Sequence, residues 1–304
     1  MGNRNFTRRE FMATITAGAG TVFVGGKALN LGETETSLKS FDPFETVTLG
    51  KTGIRSTLLG MGTGYNGYNR SSSITRAGNA ESMIHAAYER GIRYFDCADT
   101  YGTHPFVKAA LKNYPRDSYV IGTKMWVTEG GIPEKERPDA EIVVDRFRKE
   151  LDTDYIDLLQ LHCMTTGEWS DQQKRYMEGL ENLKAKKIIK AHGLSVHSFD
   201  ALKVASETPW VDVIHVRINP YGESMDNRNA SLVVPVIEKL HKAGKGVIGM
   251  KLIGGGALRN DSDKIGESLK FVLGLGTVDL IIVGFESPEH IDNYIERIRN
   301  IRIS

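Results

Sequence analysis

The chain has 304 residues, with 39 Lys or Arg against 38 Asp or Glu, so its formal net charge is +1. This balance argues against binding to nucleic acid, which needs a basic excess. A hydrophobic fraction of 40% excludes a wholly disordered chain. Two cysteines are too few for a disulfide-rich scaffold or a four-cysteine metal site, and no metal is expected. No apolar run reaches the ~20 residues of an integral membrane span.

The first 30 residues have the parts of an export signal in the usual order. Arg8 and Arg9 form a basic pair, and a weakly apolar stretch rich in small residues follows from Met12 to Gly26. This order resembles a twin-arginine signal. The resemblance implies that the Tat export machinery is a partner and that the protein is periplasmic or otherwise extracytoplasmic. The alternative is a frayed amphipathic helix on a cytoplasmic protein.

The folded part of the chain is predicted to begin with a β-hairpin. Residues 31–44 are mostly polar and predict a tether, so the folded domain is expected to span residues 45–304. Two short runs, Glu45–Leu49 and Arg55–Gly60, flank the turn-forming segment Gly50–Gly53. This pattern is typical of a hairpin.

Strands and helices are predicted to alternate after the hairpin. With Thr57–Gly62 counted as the first, the strands are Arg93–Asp96, Tyr119–Lys124, Tyr155–His162, Ile188–Val196, Val211–Ile218, Gly246–Leu252 and Asp279–Val283. The predicted helices are Asn79–Arg90, Ala140–Leu151, Asp171–Lys186, Phe199–Ser206, Ser231–Ala243, Asp263–Leu273 and Pro288–Arg299. About eight β/α units in this length predict an α/β fold, a (β/α)₈ TIM barrel with the hairpin across its bottom.

A doubly wound parallel sheet is the alternative fold. That fold has a glycine-rich turn that leads directly into a helix after the first strand. Here the glycine-rich string Gly60–Gly64 leads into Tyr65–Arg70, which predicts a loop. The glycines are therefore weak support for a dinucleotide fingerprint of that type, and the barrel is favoured.

Polar residues end three consecutive predicted strands. Asp96, Lys124 and His162 each stand at the carboxyl end of a strand, and Tyr101 follows Asp96 in the next loop. In a TIM barrel the active site lies at this end. If these side chains face inward, a carboxylate, an ammonium and an imidazole meet at the barrel mouth. Any one of them could be an ordinary polar residue at a strand end, but together they predict a catalytic site.

Here the sequence resembles the aldo-keto reductase family. The matching strings are Phe95-Asp96-Cys97-Ala98-Asp99-Thr100-Tyr101-Gly102, Thr123-Lys124 and Leu161-His162. The resemblance covers about Val47 to the C-terminus, including the hairpin and Gly60–Thr63. It implies a barrel that binds a nicotinamide cofactor and reduces an aldehyde or ketone, with a small carbonyl compound or a sugar as substrate.

The resemblance implies that Tyr101 is the general acid and that Asp96, Lys124 and His162 complete a tetrad. Carbonyl reduction builds negative charge on oxygen, which needs a proton donor and positive surroundings. Lys124 is expected to lower the pKa of Tyr101 by favouring tyrosinate, and Asp96 is expected to hold Lys124. His162 would orient the substrate oxygen.

The resemblance also implies twelve cofactor-binding residues: Gly62, Thr63, Ser195, His197, Asn219, Met250, Lys251, Leu252, Gly254, Gly284, Glu286 and His290. Two features depart from the family. Val196 stands where Asn is usual, so His197 could replace that contact. Gly284 and His290 stand where basic residues usually hold the 2′-phosphate of NADP, and Glu286 would repel it or bind a ribose hydroxyl of NAD. The resemblance therefore implies NADP or NAD as the cofactor, with NADP favoured because most members of the family use it.

The remaining features near the mouth have ordinary interpretations. Cys97 and Cys163 are expected to point outward as free thiols, and Trp126 and Trp169 are expected to wall the substrate pocket or cover the barrel top. Two rival functions stay open. A Schiff-base lyase would use Lys124 as its nucleophile, and a non-catalytic module would only bind the nicotinamide cofactor.

Overall fold

The computed structural model describes residues 38–303 except 134 and 136, so the predicted signal segment lies outside the described residues. The folded unit begins at Leu38. Strand β1 (Lys39–Ser40) pairs antiparallel with the terminal strand β12 (Arg302–Ile303). The prediction that the tether extends to residue 44 is therefore wrong for Lys39 and Ser40. A two-residue polar strand has no pattern of its own, and only its distant partner fixes it.

A hairpin closes the amino-terminal end of the fold, as predicted. Its strands β2 (Thr46–Thr48) and β3 (Arg55–Thr57) pair antiparallel. The turn binds the bottom of the barrel, because the Gly50 N–H donates to Oδ2 of Asp279 at 3.3 Å. Leu49 and Ile54 are buried in the cluster that fills the barrel interior.

Eight parallel strands form a closed barrel, which confirms the predicted fold class. They are β4 (Leu59–Gly62), β5 (Tyr94–Asp96), β6 (Val120–Met125), β7 (Ile156–Met164), β8 (Ile189–Val196), β9 (Val213–Arg217), β10 (Gly246–Met250) and β11 (Leu280–Val283). β11 pairs with β4 and closes the sheet on itself. The strands are almost wholly buried because helices cover the outside and side chains fill the inside.

Helices follow the strands around the barrel. The α-helices are Ser73–Arg76, Ala80–Glu89, His104–Leu111, Ala140–Leu151, Trp169–Gln172, Lys174–Ala185, Phe199–Glu207, Ala230–Lys242, Ser262–Gly274 and Pro288–Asn300. The eight-residue helix His104–Leu111, which buries Val107 and Leu111, was not predicted. The single helix predicted at Asp171–Lys186 is two helices that separate at Gln173. Within the described part of the chain, no helix has both the length and the apolar character needed to cross a membrane.

Alternation along the strands decides which side chains reach the barrel mouth. Tyr94, Val120, Leu158 and Val213 belong to the interior cluster. Because side chains of alternate residues share one face, the next inward positions toward the carboxyl ends include Asp96, Lys124, His162 and His215. Polar side chains thus lie at the carboxyl ends of the strands, and the interior cluster beneath them is apolar.

Candidate active site

A buried ion pair forms the centre of the mouth. Lys124 Nζ donates to Oδ1 of Asp96 at 2.5 Å and to the carbonyl of Cys97 at 3.0 Å. Both side chains are nearly inaccessible to solvent. Burial alone would raise the pKa of Asp96, but the charge of Lys124 and the contacts with His215 and Lys124 outweigh it and lower that pKa to about 2. Asp96 is therefore ionised at neutral pH and holds Lys124, as predicted.

Tyr101 is placed above this pair by a short 3₁₀ turn, Asp99–Tyr101, that follows β5. Its ring lies against two glycines that leave room for it, since a β-carbon on Gly64 would come within 2.2 Å of the ring and one on Gly67 within 2.4 Å. The hydroxyl lies 3.5 Å from Nε2 of His162. Lys124 Nζ lies 5.2 Å from the ring centroid. The structure thus brings all four predicted tetrad residues together.

The pKa of Tyr101 moves in the direction opposite to the one expected from Lys124. Burial raises it well above the usual value, and the negative charge of Asp96 raises it further. Lys124 does not reverse these effects, since its ammonium is in contact with the Asp96 carboxylate, which offsets part of its charge. Tyr101 is consequently a protonated donor throughout the neutral range, which suits a general acid.

His162 provides the second polar group that faces the space beside the Tyr101 hydroxyl. Its Nδ1 lies 3.4 Å from the hydroxyl of Thr100, and its ring meets the Trp126 ring edge-on at 5.3 Å. Burial first, and the charge of Lys124 second, lower the pKa of His162 well below its usual value. The ring is therefore neutral. If Thr100 donates to Nδ1, Nε2 carries the proton and can donate to a substrate oxygen.

His215 was missed by the sequence analysis, although the structure places it at the same carboxylate. It lies in β9, is fully buried, and has its Nε2 3.0 Å from Oδ1 of Asp96. The signal was present, because alternation from Val213 puts residue 215 on the inner face. A histidine within a predicted strand gave no reason to prefer catalysis over packing.

The aromatic and cysteine predictions are met in part. Trp126 lines the site beside His162, but Trp169 is buried elsewhere, where its Nε1 donates to the carbonyl of Ala201 at 3.3 Å. Trp169 is thus a core residue and not a pocket wall.

Both cysteines are free thiols; Cys97 is buried and Cys163 is half-buried. Cys163 lies at a register shift in β7, with φ at 67°, so simple alternation fails there.

Two of the predicted cofactor-binding residues, one on β8 and one just after β9, make hydrogen bonds within the protein. Ser195 is buried, and its hydroxyl accepts the Cys163 N–H at 2.9 Å. The Asn219 amide donates to the carbonyls of Glu223 and Lys251 at 2.8 and 3.0 Å, so it fixes the loop that follows β9. His197 remains half-buried. Burial and nearby Arg217 lower the pKa of His197 to about 3.

The segment after β10 combines a cation with three consecutive glycines. Met250 belongs to the interior cluster and is buried, while Leu252 packs in the layer between strands and helices and does not face the mouth. Gly254, Gly255 and Gly256 all have positive φ, at 60°, 62° and 95°. A β-carbon on Gly255 would lie 3.6 Å from Nζ of Lys251, so the ammonium lies beside this loop.

The first and last barrel strands contribute a narrow strip of backbone. A β-carbon on Gly62 would lie 3.7 Å from the Gly284 nitrogen. Thr63 is buried, and its hydroxyl is within 2.8 Å of the Asp96 carbonyl and 2.9 Å of the Thr103 hydroxyl. Glu286 and His290 are exposed at the start of the last helix. Among the described residues, no cluster of three His, Cys, Asp or Glu could hold a metal ion.

Comparison with known proteins agrees with this geometry. The model of the aldo/keto reductase family matches residues 59–271, which include every tetrad residue. The chain belongs to the aldo/keto reductase family. Its Tyr101, Lys124, Asp96 and His162 lie within the segment that defines the membership.

The sequence identity between this chain and individual aldo/keto reductases is low. The chain is 28% identical to aldo-keto reductase family 1 member A1 of Pongo abelii over 56% of each chain. It is 28% identical to D-threo-aldose 1-dehydrogenase of a Pseudomonas species over 45% of this chain and 50% of that one. It thus spans about half the length of the curated relatives it matches. An aldo/keto reductase of Klebsiella pneumoniae, solved with NADP and acetate, shares the fold at a TM-score of 0.63 and 17% identity, over 85% of this chain and 91% of that one.

Proposed function

We propose that this aldo/keto reductase is an NAD(P)H-dependent oxidoreductase that reduces an aldehyde or ketone to an alcohol, with Tyr101 as the proton donor. The observation that supports this most directly is the position of the Tyr101 hydroxyl, 3.5 Å from Nε2 of His162 and above the buried Lys124–Asp96 pair. Two neutral donors there can hold one carbonyl oxygen. The D-threo-aldose 1-dehydrogenase relative makes sugar-related compounds sensible first substrates.

The tetrad residues have different roles in proton transfer. The Nε2–H of His162 donates to the carbonyl oxygen and orients it toward the Tyr101 hydroxyl. As negative charge builds on that oxygen, Tyr101 gives up its proton, because an alkoxide is a stronger base than a phenolate. The ammonium of Lys124, held by Asp96, stabilises the tyrosinate that remains. In this dry site the charges act at low dielectric and are already oriented.

The residues around the mouth fit a nicotinamide dinucleotide. Burial first, and the charge of Arg217 second, lower the pKa of Lys251, whose ammonium lies beside the three-glycine loop. An anionic pyrophosphate at Gly254–Gly256 would favour the charged form of Lys251, which could contact it. His197 is half-buried, and the backbones of Gly62 and Gly284 lie side by side. When bound, the dinucleotide supplies the hydride.

The structure weighs against Lys124 as a Schiff-base nucleophile. Its Nζ donates to both Asp96 and the Cys97 carbonyl and is almost wholly buried. An amine that attacks a carbonyl must be neutral and free to approach it. Contact with an ionised carboxylate favours the charged ammonium instead. Lys124 is therefore better suited to an electrostatic role.

The proposed function is tested by identifying the cofactor and following its hydrogen. Protein purified without added dinucleotide is denatured, and the released molecules are identified by mass spectrometry. Each dinucleotide, labelled with deuterium at the transferable position, is then offered with a panel of aldehydes, ketones and sugars. We expect deuterium at the carbinol carbon of one product class. Tight dinucleotide binding with no transfer to any carbonyl would favour the non-catalytic module.

We also propose that residues 1–30 direct export by the twin-arginine route to the periplasm or another extracytoplasmic compartment. The support is the sequence Thr7-Arg8-Arg9-Glu10-Phe11-Met12 ahead of a weakly apolar stretch. Changing Arg8 and Arg9 to Lys keeps both charges, so we expect the variant to accumulate in the cytoplasm with unchanged specific activity. Immunoblots of fractionated cells measure this. Equal extracytoplasmic amounts of variant and wild type would remove the assignment and leave a cytoplasmic reductase.

A further inference from the structure

His215 is a buried histidine that the proton-transfer scheme above does not use. It lies in the middle of β9, where it is level with Ser195 of β8 and Ile248 of β10. No part of it reaches solvent. Its inward direction takes it across the barrel interior toward Asp96 on β5.

One oxygen of Asp96 is shared between two nitrogen atoms. Lys124 Nζ lies 2.5 Å from Oδ1, and Nε2 of His215 lies 3.0 Å from the same atom. The alignment at His215 is not that of a full hydrogen bond, and its Nδ1 has no partner among the described residues. An imidazole enclosed without a competing partner is restricted to this one interaction.

Burial and the neighbouring charges determine the protonation state of His215 in this position. Burial lowers the pKa of His215, so the ring is neutral and carries a single proton. Because Asp96 is ionised, the proton is favoured on Nε2, where it faces the carboxylate. The ring thus supplies a donor to Asp96 without adding a charge that would compete with Lys124.

The surroundings contain several other groups that titrate or carry charge. Some of them lie on the packed elements and act electrostatically on the five central residues of the site. These groups are Tyr94 and Cys97 of the β5 segment, Cys163 of β7 and His197 after β8. Burial raises the pKa of both Cys97 and Cys163, so both thiols are neutral. In the part of the chain that the structure describes, the full charges in contact at the centre are those of Asp96 and Lys124.

We propose that His215 is a positioning residue of the catalytic site, which shares Asp96 with Lys124 and thereby fixes the ammonium beneath Tyr101. This inference rests on the reductase function proposed above. The imidazole limits rotation of the carboxylate and offsets part of its negative field. Without the ring, Asp96 can turn away from its present geometry, and more of its field acts on Lys124 and Tyr101.

The test compares His215→Leu with His215→Gln, which keeps a neutral N–H donor. For His215→Leu we expect kcat to fall roughly 10-fold or more, because small misplacement of catalytic groups is costly. We expect KM for the dinucleotide to change little. The alkaline limb of the kcat–pH profile should move up by about half a unit or more, since the uncompensated carboxylate of Asp96 raises the pKa of Tyr101 further. His215→Gln should restore most of kcat and the original limb.

A matched control is His192→Gln, which alters another buried histidine on a barrel strand. His192 stacks on the Trp210 ring at 4.3 Å and contacts Glu181 at 2.8 Å, away from the site. We expect its pH profile to match the wild type. A His215→Leu enzyme with lower kcat but an unmoved alkaline limb would overturn the positioning role and leave a packing role.

A second measurement is independent of activity. Long-range ¹H–¹⁵N NMR of the imidazole groups distinguishes the two neutral tautomers from the charged ring. We expect His215 to be the neutral Nε2–H tautomer at pH 7 and above, and Asp96→Asn to perturb its nitrogen shifts. A charged ring, or a proton on Nδ1, would overturn the proposal. Absence of reductase activity in the wild type would instead refute the proposed function and leave this NMR result standing.

Discussion

Replacing Tyr101 by Phe is expected to lower kcat for carbonyl reduction by about 10²-fold or more, which is the usual contribution of a general acid. The variant loses only the hydroxyl that lies 3.5 Å from Nε2 of His162. The phenyl ring still fills the space against Gly64 and Gly67, so dinucleotide affinity should be nearly unchanged. Single-turnover absorbance measurements give the chemical step, and fluorescence titration gives the affinity.

Tyr94→Phe is the matched control for this prediction. Tyr94 is also a buried tyrosine of the barrel, and its hydroxyl has no hydrogen-bond partner among the described residues. Its removal should leave kcat within about twofold of wild type, because no partner is lost. If Tyr101→Phe retains more than about a tenth of the wild-type rate in the chemical step, another group is the acid.

The tetrad could be found from the sequence because it depends on regular geometry. Parallel strands end at one edge, and alternation fixes the face of each side chain. Asp96, Lys124 and His162 follow these rules, and Tyr101 needs only a short turn to join them. The closed barrel was predictable for the same reason, since its strands and helices repeat in a fixed order.

Features that depend on loops or on distant partners could not be predicted in this way. Asn219 was expected to reach the cofactor, yet its amide is occupied by carbonyls of two loop segments that only the folded chain brings together. The pairing of β1 with β12 joins residues at opposite ends of the domain. The pKa of Tyr101 depends first on its burial and second on its distance from Asp96, and a sequence pattern gives neither.

The change from Lys124 to Met is expected to remove activity and also to destabilise the fold by about 3–5 kcal/mol at pH 7, the usual cost of breaking a buried ion pair. Met has a similar length and fills the space, but Asp96 is left ionised and buried, and His215 is then the remaining ionisable side chain in contact with its carboxylate among the described residues. Urea denaturation measures the free energy of unfolding. The double variant Asp96→Asn/Lys124→Met removes both charges, so it should recover most of the stability and none of the activity.

The pH dependence of the lost stability distinguishes between two causes, an uncompensated charge on Asp96 and poor packing of the substituted side chain. In the wild type the pKa of Asp96 is lowered to about 2, so its stabilising contribution is present above the unfolded value of about 3.9 and is lost as pH falls toward 2. In Lys124→Met, burial dominates and we expect the pKa of Asp96 to rise above the unfolded value. Its penalty is then largest at neutral pH and disappears below about pH 4, where the carboxyl is protonated in both states. The difference in unfolding free energy between wild type and variant should therefore shrink steadily from pH 7 to pH 3. A difference that is constant with pH would mean that Lys124 stabilises the barrel through its methylene groups and not through its charge.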